Sequence, residues 1–187
     1  MIYLSKGIAQ KDPTEKRISI FRYSQVSNLT GLEAALWSNG RYSFAVTQLP
    51  LVERELIRLE KMGLVETEVK DSYAARYRIL TRCICCPVKA SGISFSVSGE
   101  EKILLTWLKC AGIRLTVAEL IYLREHQVEP RPELLYEDNR QALVETIYTR
   151  ETIADNLLEY KMEVVACRDK VVSSLLRLLK KKKILML

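Results

Sequence analysis

One local pattern occurs twice, and this repeat limits the architecture more than any other feature of the chain. Thr30-Gly31-Leu32-Glu33 is followed by Leu36-Trp37 and Asn39-Gly40-Arg41. Ser98-Gly99-Glu100-Glu101 is followed by Thr106-Trp107 and Ala111-Gly112-Ile113-Arg114. Each copy opens with a hydroxyl residue three positions before a Glu. That is the signature of a capping box, in which the hydroxyl and the carboxylate satisfy backbone N–H groups at a helix start. Each copy ends on a glycine, which stops a helix. An Ile-rich strand precedes each copy, over 17–26 and 93–97. Two copies are too few for a solenoid, and 187 residues can hold one large or two small domains. The pattern therefore predicts two related domains in tandem, 1–86 and 87–187, the second carrying a helical insertion over 128–148.

In chain order, residues 2–10 and 17–26 read as two strands rich in β-branched and aromatic residues. Lys11-Asp12-Pro13-Thr14 between them has turn chemistry, so the pair is expected to form a hairpin. A helix runs from the first capping box to about residue 38, and 44–49 reads as a short helix or turn. Pro50 suits a first helical turn. The helix over 51–62 is expected to bury Val52, Leu56 and Leu59, to expose Arg54, Arg58 and Lys61 along one row, and to stop at Gly63. Segments 64–69 and 76–81 alternate around a polar turn and predict a second hairpin. The second capping box starts a helix over 100–110 with Ile103, Leu104, Trp107 and Leu108 inward. Residues 116–126 form another.

The last forty residues read as a helix over 149–160, a turn, and a helix over 166–180. Val171, Val172, Leu175, Leu176, Leu178 and Leu179 make one apolar stripe on that last helix. Lys170, Ser173, Ser174, Arg177 and Lys181 recur at three- and four-residue steps on the opposite face. Residues 161–187 hold eight Lys or Arg against two acids, and so carry the whole net charge of +6. Residues 129–159 hold eight acids against three Arg. A basic helix beside an acidic segment makes a directed field rather than a uniformly basic surface.

These residues resemble the winged helix-turn-helix family. The matches are Thr152-Ile153-Ala154 and Leu157 on one helix, and Val171, Leu175, Leu178 and Ile184 on and after the next. In the first half, over about 29–82, they are Leu59 to Val65 and Tyr77 to Thr81. The chain departs from the family by having Lys183 where a Gly is usual, and by leaving no room for a wing behind Leu187. The resemblance implies an α+β, mostly helical fold: two tandem winged-helix-like domains with small β-hairpins. It also implies a DNA-binding regulator of transcription with double-stranded DNA as partner. On this reading Lys170, Ser173, Ser174 and Arg177 face the major groove, and Lys180 and Lys181, within the run to Lys183, neutralise phosphates. Arg54, Arg58, Lys61 and Arg168 join the DNA-binding set, and Tyr73 of the expected wing lies near DNA.

Leu29-Thr30-Gly31, Leu36-Trp37, Gly40-Arg41 and Leu59 with Gly63-Leu64-Val65 also resemble the peptide recognition element of the coenzyme PQQ synthesis D family. That resemblance implies binding of a leader peptide, added as a strand at a sheet edge. An N-terminal hairpin suits this function, and a wing after Val65 suits it less. A protein–protein scaffold is the third expectation, with a homodimer as one arrangement.

Several classes are set aside. No apolar run reaches the roughly 18 residues of a membrane span, and no signal peptide opens the chain, so a cytoplasmic protein with no membrane partner is expected. Five cysteines, an odd number, argue against a disulfide framework. Cys83-Ile84-Cys85-Cys86 lacks the second pair of a zinc site, so no metal is expected. No phosphate-binding glycine loop, Gly-x-Ser-x-Gly or His-Glu-x-x-His occurs. The single histidine, His126, sits near a helix end, where the dipole favours it. No catalytic residue, cofactor or enzymatic activity is expected.

Overall fold

In the computed structural model, which describes residues 1–11, 17–88, 97–110, 115–130 and 166–187, the chain forms two units. Met1–Cys83 with Leu185–Leu187 make the first, and Ile84–Ile184 the second. Among the described residues the protein is α+β, with six helices and three small antiparallel sheets. No described helix is long and apolar enough to cross a membrane.

In the first unit, strand β1 (Ile2–Ser5) is buried at every position. It lies between β5 (Ala45–Val46) and β6 (Val65–Glu68), antiparallel to both. The expected strand over 2–10 breaks at Lys6-Gly7. Gly7 has φ +109, and a Cβ there would stand 2.5 Å from Ile20 Cγ2, so a side chain fits neither the backbone nor the space. Strand β2 (Ile8–Lys11) then opens a second sheet of order β2-β3-β4, with β3 (Arg17–Arg22) and β4 (Gln25–Thr30). The expected hairpin is thus a three-stranded meander. Its second turn, Tyr23-Ser24, carries no Gly or Asn, and Tyr23 itself takes φ +54. Segment 44–49 supplies β5 rather than a helix or turn.

Helices α1 (Gly31–Asn39) and α2 (Pro50–Lys61) pack on each other, α1 against β4 and α2 against β6. Ile20, Leu29, Trp37, Leu56, Leu59, Leu64 and Val65 form the core between them. The Trp37 indole N–H donates to the Lys6 carbonyl at 2.9 Å, and the Tyr3 hydroxyl to the Leu36 carbonyl at 3.2 Å. Pro50 stands in the first turn of α2, Leu56 and Leu59 point inward, and Gly63 follows at φ +71, as the spacing predicts.

The expected wing is absent. Residues 76–81 belong to helix α3 (Tyr73–Thr81), and β6 pairs with β1 instead. Arg76 to Thr81 alternates charged with apolar residues and so mimics a strand. Three forces favour the helix. The Ser72 hydroxyl accepts the Ala75 N–H at 3.1 Å as an N-cap. Ala75, Tyr77, Ile79 and Leu80 are buried together. Arg78 and Arg82, four apart on one helical face, both reach Glu68, each at 3.1 Å. Hydrogen bonding from Arg78, above all, holds the Glu68 carboxyl below its ordinary value despite burial.

The second unit holds β7 (Ile84–Pro87), α4 (Gly99–Cys110), β8 (Leu115–Thr116), antiparallel to β7, α5 (Val117–Glu125), α6 (Ala166–Lys180) and Ile184, the first residue of strand β9 (Ile184–Met186). The Ser98 capping box forms: the Glu101 N–H donates to Ser98 Oγ at 3.3 Å and the Ser98 N–H to Glu101 Oε2 at 3.1 Å. Thr116 and Glu119 make another at α5. Val171, Val172, Leu175, Leu178 and Leu179 are buried as the stripe predicts, and α6 packs on α4 and α5. Each such aliphatic side chain contributes roughly 1.5–3 kcal/mol on burial. The strand expected over 93–97 (except Val97), Gly112, the insertion beyond residue 130 and the helix over 149–160 lie outside the described residues.

Candidate functional site

Two surfaces compete for a recognition role: the basic helices and the outer sheet of the first unit. Arg54, Arg58 and Lys61 belong to the first unit, and the other seven expected DNA contacts to the second. Arg54 and Lys61 are exposed on α2. Arg58 lies between them with its guanidinium 2.9 Å from Glu33 Oε1 and 3.9 Å from Glu55 Oε2.

On α6, Lys170 and Lys180 are exposed, and Ser173, half-buried, donates its hydroxyl to the Lys170 carbonyl at 3.0 Å. Ser174 and Arg168 depart from expectation: they are 0 % and 8 % exposed. Helical periodicity explains Ser174, which stands three residues after Val171 and four before Leu178, on the packed face. Its hydroxyl accepts from Arg177 at 2.8 Å. Arg168 Nε lies 3.1 Å from Asp169 Oδ1.

Arg177 and Lys181 converge on one acid. Arg177 Nε donates to Glu101 Oε1 at 2.7 Å, and Lys181 Nζ to Glu101 Oε2 at 2.7 Å. Glu101 is 1 % exposed. Burial alone would raise its pKa. Hydrogen bonds from Lys181, Arg177 and the Ser98 N–H outweigh that and hold the carboxyl below its ordinary value. Two cations expected to meet DNA are therefore held to α4 by a buried carboxylate.

The meander presents a different surface. Residues directly opposite in an antiparallel ladder share a face. Ile8 pairs with Phe21 and Phe21 with Val26, so the three form one row across the sheet. All are exposed, at 39, 37 and 53 %. The next row on that face is Gln10, Ser19 and Asn28, where the Ser19 hydroxyl donates to Asn28 Oδ1 at 2.7 Å. Tyr23 stands exposed at the turn next to the apolar row, with the Arg22 guanidinium 5.1 Å from its ring centroid.

Strand β4 is the edge of this sheet. Its residues, Gln25-Val26-Ser27-Asn28-Leu29-Thr30, include no charge and no proline. Edge strands are commonly protected by Lys, Pro or bulges, and β4 has neither Lys nor Pro. Sequence reasoning missed it because Gln25 to Thr30 does not alternate cleanly and Thr30 reads as a helix cap. The signal in hindsight is Arg22 to Gln25, an abrupt polar break in an apolar strand.

Cys83 and several of the charges around it are structural. Cys83 is buried, its thiol donates to the Ile79 carbonyl at 3.2 Å, and burial pushes its pKa up to about 12. Lys6, 3 % exposed, pairs with Glu66, and Arg82 lies 3.6 Å from the same carboxylate. In the second unit an open cleft of about 690 Å³ is walled by Glu100 and Arg124, which bind each other through two bonds of 2.8 and 3.0 Å. Among the described residues no cluster of three His, Cys, Asp or Glu is placed to hold a metal. Comparison with protein-family models, curated proteins and solved structures finds no match.

Proposed function

We propose that the first unit is a non-enzymatic recognition module that binds an extended segment of a peptide or protein by strand addition at β4. The observation that carries this is the edge itself: six residues without charge or proline, beside an exposed apolar row. An added strand gains main-chain hydrogen bonds along the edge and side-chain contacts on the row. In this reading each unit is winged-helix-like, with α1, α2 and α3 in the first and α4, α5 and α6 in the second. The fold serves recognition and carries no catalysis. The helix α3 also supports the reading, because a wing after Val65 was the feature that suited peptide binding least.

The test uses the full chain and a displayed library of random linear peptides. Selected peptides should slow hydrogen exchange in β4, and Val26→Lys should abolish their binding without lowering the melting temperature, since Val26 is exposed. Selected peptides that leave β4 exchange unchanged, or that bind V26K equally well, would sink the proposal.

A second reading, DNA binding, keeps one specific support: Arg54 and Lys61 are exposed at helical spacing on α2, as are Lys170 and Lys180 on α6. It requires salt-dependent duplex binding. Each lost phosphate contact, as in Arg54→Gln or Lys180→Gln, should flatten the log–log salt slope by roughly 0.9. Duplex binding that is absent across a salt series removes this reading.

A further inference from the structure

The register of the meander specifies what the added strand must carry, granted the strand-addition reading. We infer that the partner of β4 is a short extended segment with, reading from its N-terminus, a residue bearing a side-chain acceptor oxygen and, two positions later, a large apolar residue. The first lies beside Asn28 and the second beside Val26.

The rows supply both halves of this code. A strand laid along β4 continues each row by one residue. Beside Val26 the row Ile8–Phe21–Val26 is apolar and exposed, and Tyr23, with Arg22 over its ring, stands at the same end. An apolar partner residue there removes area from water on both sides. Beside Asn28 the requirement is for an acceptor. Asn28 Oδ1 already accepts from Ser19 at 2.7 Å, which leaves the amide N–H groups as donors. A hydroxyl, amide or carboxylate oxygen answers them. Antiparallel pairing is the more stable arrangement. It runs the partner from Thr30 towards Gln25, which places the acceptor before the apolar residue.

The occupant is a short segment rather than a second copy of this chain. In a two-fold antiparallel pairing of β4 with itself, only four registers join three or more strand residues face to face, and the one centred on Leu29 leaves Val26 outside the pairing. Centred on Asn28, the pairing sets Val26 against Thr30. Centred on Ser27, it sets Val26 against Asn28. The register that stacks Val26 on Val26 pairs only Gln25 to Ser27 of the strand. The apolar row therefore finds no full-length match in a copy of itself. The absence of charge on β4 completes the picture: binding at this edge does not depend on ion pairs, so it is insensitive to salt.

The test is fluorescence anisotropy of labelled synthetic peptides against the full chain, at low and high salt. Two peptides share one composition, mainly Thr and Val. One places Asn two positions before Phe, and the other places Phe two positions before Asn. Two further versions of the first are N-methylated at alternate amides, one in each phase. The first peptide should bind roughly three- to tenfold more tightly than the second, with the same affinity at both salt levels. One methylation phase should abolish binding and the other should not. Asn28→Asp, which replaces donors by acceptors, should remove the preference between the two peptides. Equal affinity for both peptides, with one methylation phase still abolishing binding, would overturn the code and leave strand addition standing. Binding indifferent to both phases would overturn both. Absence of binding by either peptide, or a dimer of the free protein dispersed by Val26→Lys, would also overturn the inference.

Discussion

Glu33 and Glu101 hold the same place in the same four-residue signature, and the protein uses them differently. Glu101 closes its capping box with Ser98 and gathers Arg177 and Lys181 from α6. Glu33 closes nothing: Thr30 makes no side-chain bond to α1, and Glu33 Oε1 instead lies 2.9 Å from Arg58 in an ion contact. The difference lies in the capping residues themselves. Thr30 is the last rung of a ladder, opposite Arg17, and its side chain stands on the outer face of the sheet. Gly31, at φ +51, then turns the chain into the helix. Ser98 itself is not part of a strand, and its hydroxyl turns back to the helix. A cap is thus a local device only where the capping residue is not already used by a sheet. The second lesson is functional: the same carboxylate that caps α4 draws in two cations that spacing alone assigns to DNA.

The comparison can be broken most directly at the two acids. Glu101→Ala should destabilise the second unit by about 2–3 kcal/mol, because it removes a cap and hydrogen bonds to two charged groups. Glu33→Ala should cost less, about 1 kcal/mol, because its Arg58 partner is 65 % exposed and the pair closes no cap. Urea denaturation measures both, and hydrogen exchange in α4 and α1 assigns each loss to its unit. Equal losses would refute the distinction.

The paired tryptophans sharpen it. Trp37 donates to the Lys6 carbonyl, whereas the buried Trp107 N–H has no hydrogen-bond partner among the described residues. Trp37→Phe should therefore destabilise by about 1–2 kcal/mol more than Trp107→Phe, which deletes an unsatisfied donor along with its packing. Thermal melts of the two variants decide this.

The caps themselves should differ by less. Ser98→Ala should cost about 1 kcal/mol, and Thr30→Ala no more than a few tenths. Exchange rates in the first turns of α4 and α1 are the readout.

The smallest effect is a pH dependence. The folded Glu101 carboxyl titrates below its ordinary value of 4.5. Its contribution is therefore complete above that value and is lost as pH falls through the lower folded value. The stability gap between wild type and Glu101→Gln should narrow on acidification from about pH 5. A gap that widens with acid would contradict the assigned direction.

Much of this protein was legible because the relevant physics is local. The stripe from Val171 to Leu179 follows from a 3.6-residue period, the inward set of α2 from the same rule, and the stops at Gly40 and Gly63 from the chemistry of a helix end. The Ser98 box needed only four residues. The wing was misread because Arg76 to Thr81 satisfies two periods at once, and the choice between them lay with Ser72, Glu68 and a strand, β1, far away in the chain.

By itself, then, the amino-acid sequence determined where most helices begin and end and which of their faces are apolar, since those depend on neighbours within a turn or two. Only the tertiary structure decided which partner each long side chain takes. Arg177 and Lys181 find Glu101 across 76 and 80 residues. It also decided that Ile8, Phe21 and Val26 stand in one row beside an unguarded edge. Register and long-range ion pairing are properties of elements brought together by the whole core, and no window of the sequence contains both halves of either.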